Sequence, residues 1–273
     1  MTSHNNPSLI NVLDELPFWS APFGVRLLAK VVPKRNMSLL DIGFGTGFPL
    51  TELAMRFGDS CTIYGIDPWK EAAERVREKL RIYGITNVRL FIGKAEEIPL
   101  ENQSIDLITS NNGLNNVTDL SRVLSECARV LKPGGKLIFT MNTDETMVEF
   151  YEVLEQSLSE HDLPESVVHL NQHIYEKRKP LGEIKSLLAG AGFDNVTLEE
   201  NWFDYKFADG STMLNHFFIR LAFLDSWKEI VPEKDRDLIF SEVERRLNHI
   251  VTEKGHLSLR VPFVVIEARR RSD

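Results

Sequence analysis

Three glycines alternate with larger residues at Gly43, Gly45 and Gly47, and a carboxylate stands on each side of them, Asp41 before and Asp67 after. Glycine has no Cβ, so such a turn takes positive φ and lays bare main chain against a ligand. An acid about twenty residues past a glycine turn is spaced to accept from both hydroxyls of a ribose. The chemistry these residues offer is recognition of a nucleoside. The dinucleotide fingerprint Gly-x-Gly-x-x-Gly fails here. Counted from Gly43, its last place falls on Phe48, and counted from Gly45 it falls on Leu50. A nicotinamide-dependent oxidoreductase is therefore disfavoured.

The flanking pattern supplies elements that would hold this turn. Met37 to Ile42 is a short apolar run suited to a buried strand, and Phe48 to Phe57 has helical spacing ending at Gly58. Cys61 to Ile66 predicts a second strand ending against Asp67, and Trp69 to Tyr83 predicts an amphipathic helix ended by Gly84. Its apolar side is Ala72, Ala73, Val76, Leu80 and Tyr83, with Lys79 among its solvent charges. Further strands are expected at Val88 to Ile92, Ile105 to Thr109 and Lys136 to Met141. A helix over Leu120 to Leu131 stops at the breaker cluster Lys132-Pro133-Gly134-Gly135. Pro22 fits the N1 position of a helix capped near Ser20. Strands alternating with helices imply a doubly wound parallel sheet, with the ligand crevice at the carboxyl ends of the strands.

The pattern Asp41-x-Gly43-x-Gly45-x-Gly47, with Asp67 after the second strand, resembles the first motif of the class I S-adenosylmethionine-dependent methyltransferases. The resemblance covers about residues 35–142 well and 180–208 and 256–268 loosely. It implies an α/β fold, a doubly wound, seven-stranded, mostly parallel sheet whose last strand is antiparallel. It implies S-adenosyl-L-methionine as cofactor and S-adenosyl-L-homocysteine as product. By the resemblance, the backbone of Gly43, Phe44, Gly45, Thr46 and Gly47 lies along the methionine part. Asp41 accepts from its ammonium or holds the loop, and Asp67 takes the ribose hydroxyls. Pro68 and Trp69 give apolar surface near the adenine. After the third strand the family often reads Gly-Asp-Ala, whereas this chain has Gly93-Lys94-Ala95, so adenine recognition passes to Glu96 or to the amides of Ala95 and Glu96. After the fourth strand, Ser110 to Asn116, with Asn111, would pass under the transferable methyl. In-line transfer then needs orientation and a dry site, and a general base only if the acceptor loses a proton.

Two stretches exceed this plan, about residues 143–178 and 210–254. They read as helices, the second split near Pro232, and are expected to form a helical cap on a single domain. Their histidines and tyrosine, His161, His169, His173, Tyr175 and His216, are base candidates. His169 and His173 are four apart and could share a helix face as metal ligands, but no third ligand is evident and no metal is expected. Aromatic residues such as Phe217, Phe218, Phe223 and Trp227 favour a small, partly apolar organic acceptor methylated at O, C or N. A methyltransferase-like binding or regulatory protein is the alternative, motivated by Lys94 and the missing base.

The 273 residues carry a net charge of −8, which argues against a broad nucleic-acid footprint. Cys61 and Cys127, the only cysteines, read as core hydrophobes rather than a disulfide framework. No apolar run is long enough to span a membrane, and Met1 to Pro7 is polar, so a cytoplasmic protein is expected.

Overall fold

The computed structural model describes residues 19–272. The reading of Met1 to Pro7 as polar falls on residues outside them. The described residues divide into two compact units. One holds the chain up to Asn142, Leu181–Asn201 and the chain from Phe263 onward, and the other holds Thr143–Pro180 and Trp202–Pro262.

The first unit is built on a seven-stranded sheet. Its strands are β1 (Ser38–Ile42), β2 (Thr62–Asp67), β3 (Val88–Ile92), β4 (Ile105–Asn111), β5 (Leu131–Asn142), β6 (Phe193–Phe207) and β7 (Leu257–Arg270), in the order β3-β2-β1-β4-β5-β7-β6. β1, β2, β3, β4 and β5 pair in parallel, and β7 lies antiparallel to β5. The expected doubly wound, mostly parallel sheet with an antiparallel last strand is therefore present. The helices of this unit are α1 (Ser20–Lys30), α2 (Leu50–Phe57), α3 (Lys70–Tyr83), α4 (Leu120–Val130) and α7 (Leu181–Gly190). Leu40, Ile42, Ile108, Leu137 and Phe139 are buried from the strands, with Val123, Leu124 and Cys127 from α4. Cys61 and Cys127 are both buried free thiols.

Several boundaries differ from the sequence reading for local reasons. Pro49 precedes α2 instead of lying inside it, and the Phe48–Pro49 bond is cis. α1 starts at Ser20, so Pro22 falls inside its first turn. β4 extends to Asn111, and β5 begins at Leu131. The Lys132 to Gly135 cluster does not end the ladder; it bulges out between the pairs Ile105–Leu131 and Leu107–Lys136. Tyr83 is exposed rather than inward-facing, and β3, at the sheet edge, is only half-buried.

A buried carboxylate fixes the segment after β3. Glu126 of α4 accepts from Ile98 N at 2.9 Å and pairs with Arg129 at 2.7 Å. Arg129 also donates to the carbonyls of Ile98 and Leu100, each at 2.8 Å. The Arg129 hydrogen bond holds the Glu126 carboxyl below its ordinary value. A depressed pKa contributes stability that is present above the ordinary value of 4.5 and lost as pH falls through the folded value. We expect Glu126→Ala to lower unfolding free energy by about 2 kcal/mol, since a buried N–H loses a charged partner. Urea melts at neutral pH measure that loss, and melts at descending pH should show the variant losing less further stability than the wild type.

The second unit is helical: α5 (Val148–Glu160), α6 (Pro164–Lys177), α8 (Gly210–Asn215), α9 (Phe217–Ile219), α10 (Asp225–Glu229) and α11 (Arg236–Lys254). A π-helical turn, Arg220–Leu224, joins α9 to α10. The first helix expected over 210–231 is thus several short pieces. Trp227, Phe150, Leu154, Met213, Ile239 and Val243 are among its buried side chains.

Candidate active site at the carboxyl ends of β1, β2 and β4

The chain leaves β1 toward β2 and β3 on one side, then returns to β4 on the other. That reversal leaves a crevice outside the strand ends between β1 and β4. Gly43, directly after β1, has φ +77°, and a Cβ there would meet Gly113 Cα, just after β4, at 3.0 Å. At Gly113 a Cβ would meet Ile42 O at 2.7 Å. The two loops therefore touch main chain to main chain, and only glycine on both sides permits it. Gly45 and Gly47 also have positive φ, so the predicted bare-backbone turn is formed. Gly43 N donates to Ile66 O at 2.9 Å and Gly47 N to Phe44 O at 2.8 Å.

Both predicted acids are buried at this turn. Asp67 closes β2. Its Oδ2 accepts from Gly45 N at 2.9 Å and its Oδ1 from Trp69 N at 2.8 Å. Each oxygen keeps a further lone pair for a ligand hydroxyl. Burial raises its pKa, opposed by those two N–H groups. Asp41, within β1, is fully buried. Its Oδ1 accepts from Thr109 Oγ1 at 2.7 Å, while its Oδ2 accepts no hydrogen bond from a described residue. Burial pushes its carboxyl up to about 7, lowered in part by Thr109 and raised further by the Asp67 charge.

The other predicted residues fall into two groups. Thr46, Pro68, Trp69 and Ala95 sit with the glycines and Asp67 in the loops that follow β1, β2 and β3. Phe44, Glu96 and Asn111 turn their side chains to structure. The Phe44 ring is buried over Gly65, where a Cβ would meet Phe44 Cδ1 at 2.8 Å. Glu96 Oε1 accepts from Thr118 N at 2.9 Å and Asp119 N at 3.2 Å, ahead of α4. Asn111 Nδ2 donates to Ser20 O at 3.0 Å and Oδ1 accepts from Thr140 Oγ1 at 3.1 Å, tying α1 to the ends of β4 and β5.

Lys79 escaped the sequence reading. Its ammonium donates to Thr46 O at 2.8 Å and so grips the glycine turn from α3. Its place among the charged residues of an amphipathic helix gave no sign of this. Thr109 was likewise read only as strand, though its Oγ1 donates to Asp41, and Ser110, expected to pass under the transferable methyl, instead donates its Oγ to Ile42 O at 2.8 Å.

The base candidates all belong to the helical unit. His161, His169 and Tyr175 are exposed; His173 is half-buried, and burial with the nearby charges of Arg178 and Lys177 pushes it down to about 4. His169 and His173 therefore do not share one environment. His216 lies against Tyr205, with Nδ1 3.3 Å from the hydroxyl. Among the described residues no three His, Cys, Asp or Glu side chains form a metal cluster, and no helix is long and apolar enough to cross a membrane.

Residues 40–139 match the family described as Methyltransferase domain. A demethylmenaquinone methyltransferase of Bacillus cytotoxicus is 34% identical over 120 residues, 44% of this chain and 51% of that protein, so the chain spans about half the length of this relative. The ubiquinone/menaquinone biosynthesis C-methyltransferase UbiE of Idiomarina loihiensis is 30% identical over 201 residues, 67% of this chain and 74% of that protein. The YcgJ protein of Bacillus subtilis superimposes with a TM-score of 0.57 at 20% identity, over 92% of this chain and 98% of that one, which shows a common fold. With the glycine turn, the two acids and the strand order in place, the chain belongs to the class I S-adenosylmethionine-dependent methyltransferases.

Proposed function

We propose that this protein transfers a methyl group from S-adenosylmethionine to a small, partly apolar organic acceptor by in-line displacement. The observation that carries this reading is the pair of buried acids on a bare glycine turn, one with an oxygen that no donor among the described residues meets. Their chemistry fits the cofactor. A fixed carboxylate suits a ribose diol, and an unmet buried carboxylate oxygen suits an ammonium. When bound, the cofactor supplies an electrophilic methyl on a sulfonium.

This chain's residues hold and orient. Asp67 accepts the two ribose hydroxyls, its oxygens already aimed by Gly45 N and Trp69 N. Gly43 to Gly47 offer main chain to the methionine portion, and Lys79 keeps that turn from opening. Pro68 and Trp69 border the adenine, and Asn111 steadies the fourth strand end with α1. Because the Glu96 carboxylate is spent on Thr118 and Asp119, the amides of Ala95 and Glu96 read the ring edge. The helical unit is the part we assign to choosing the acceptor. The relatives' names make quinone precursors the first acceptors to try, with phenols and amines beside them.

Calorimetry with S-adenosylhomocysteine and release of S-adenosylhomocysteine across an acceptor panel test the reading together. Binding in the micromolar range with turnover of at least one acceptor is expected. Tighter binding of NADH than of S-adenosylhomocysteine would sink it.

A proton should accompany binding. The folded pKa of Asp41, about 7, lies above the ordinary 3.8. A raised carboxyl contributes stability that is whole below the ordinary value and is lost as pH rises through about 7. The melting temperature of the free protein should therefore fall between about pH 5 and pH 8, and Asp41→Asn should flatten that slope. A cofactor ammonium favours the charged carboxylate, so binding near pH 6 should release up to one proton. Titrations in two buffers of different ionisation enthalpy read it, and equal apparent enthalpies would contradict the assignment.

A further inference from the structure

Arg178 follows α6 in the helical unit and is 3% exposed. Among the described residues its guanidinium donates one hydrogen bond, Nη1 to Tyr151 Oη at 3.3 Å, and its buried Nε has no acceptor. A buried cation is costly without a counter-charge. The Tyr151 ring lies 5.4 Å from the guanidinium carbon and offsets part of that cost. Trp227 Nε1 also donates to Tyr151 Oη, at 3.0 Å. The hydroxyl thus accepts twice and still has its own proton to give. Donors from Arg178 and Tyr151 converge here, and no carboxylate among the described residues accepts from them.

The His173 ring lies 6.3 Å from that of Tyr151; burial, with the charges of Arg178 and Lys177, lowers its pKa against the opposing charge of Glu176. Trp227 stacks on Phe150 at 3.8 Å and on Phe223 at 5.5 Å, so planar apolar surface adjoins the donors. Phe223 lies in the π-helical turn Arg220–Leu224. Such turns are rare and gather at functional sites. His173 and Phe223 are half-buried, while Arg178, Tyr151 and Trp227 are buried.

We propose that Arg178, Tyr151 and Trp227 form a binding site for the carboxylate of a small aromatic acid. With Nη1 on Tyr151, the guanidinium keeps its side-on edge, Nε and Nη2, which matches the two oxygens of a carboxylate. The Tyr151 proton supplies another donor, and half-buried Phe223, stacked on Trp227, is the apolar surface offered to the ring. The site lies within the helical unit and needs no cofactor, so it stands whether or not methyl transfer does.

The test is a titration of the full chain with 1-naphthoate, its neutral counterpart 1-naphthamide, and phenyl phosphate, followed by calorimetry. We expect 1-naphthoate to bind at least tenfold more tightly than the amide. Arg178→Gln should cut that affinity at least tenfold, and Tyr151→Phe severalfold, while S-adenosylhomocysteine affinity, measured on the same samples, stays constant. If Arg178→Gln does not fold, Arg178→Lys, which keeps the charge and loses the fork, decides with Tyr151→Phe. Naphthoate affinity unchanged in both overturns the proposal. So does equal affinity for acid and amide, or none for either, the result for a guanidinium held only by the helix end and the tyrosine ring. Phenyl phosphate binding more tightly than naphthoate overturns the carboxylate assignment.

Discussion

Asp67→Ala should reduce S-adenosylhomocysteine affinity at least 100-fold, about 2.7 kcal/mol, in a protein that still folds. The side chain does two things at once. It offers two acceptors to the ribose, and it anchors Gly45 N and Trp69 N on either side of the sugar. Hydrogen bonds to a charged group contribute about 1.5–3 kcal/mol each, so loss of two exceeds the stated bound. The fold should survive, because the carboxylate sits at a strand end and its burial already raises its pKa. Asp67→Asn is expected to fall between, since an amide oxygen accepts where its NH2 cannot. Calorimetry and thermal melts on the same samples decide. An alanine variant that binds within fivefold of wild type would remove Asp67 from the site.

The second large effect lies where the two loops meet. Gly113→Ala places a Cβ 2.7 Å from Ile42 O, 2.8 Å from Ser110 Oγ and 3.2 Å from Gly43 Cα. None of these is the far end of a flexible side chain. The ends of β1 and β4 must separate, which also disturbs the hydrogen bond from Ser110 to Ile42. Overpacking of this kind costs about 2 kcal/mol, or a fall of about 4–8 °C in melting temperature. We expect S-adenosylhomocysteine affinity to drop at least tenfold as well, because Gly43 cannot keep its place. Gly93→Ala is the control. A Cβ there meets nothing within 4 Å, and the change should stay within about 0.5 kcal/mol. Equal melting temperatures for the two variants would show that the contact does not constrain the loops.

Much of this was legible in the chain because it is local. The glycine turn, the acid after β2 and the alternation of strand and helix are patterns within tens of residues, and they yielded the sheet. Long-range pairings were not legible. Lys79 looks like any solvated lysine of α3 until the fold carries it to Thr46. Glu96 looks like a ligand for adenine until Thr118 and Asp119 arrive from beyond β4. The breaker cluster before β5 misled for a related reason, since a parallel ladder can bulge around four residues and resume. In the second insert, the aromatic stretch before Pro232 read as one helix, whereas a π turn and short helical pieces divide it.

The sheet order carries a consequence for biosynthesis. β6 neighbours β7 in the sheet, not β5, although both β5 and β6 precede β7 along the chain. During translation, β5 and β6 therefore each present an open edge until residues 257–270 leave the ribosome, some fifty positions after Phe207. Late, distant strand insertion slows folding and leaves nascent chains prone to aggregate. Ribosome-bound intermediates stalled before Leu257 should need chaperone protection that chains stalled well past Arg270 no longer require.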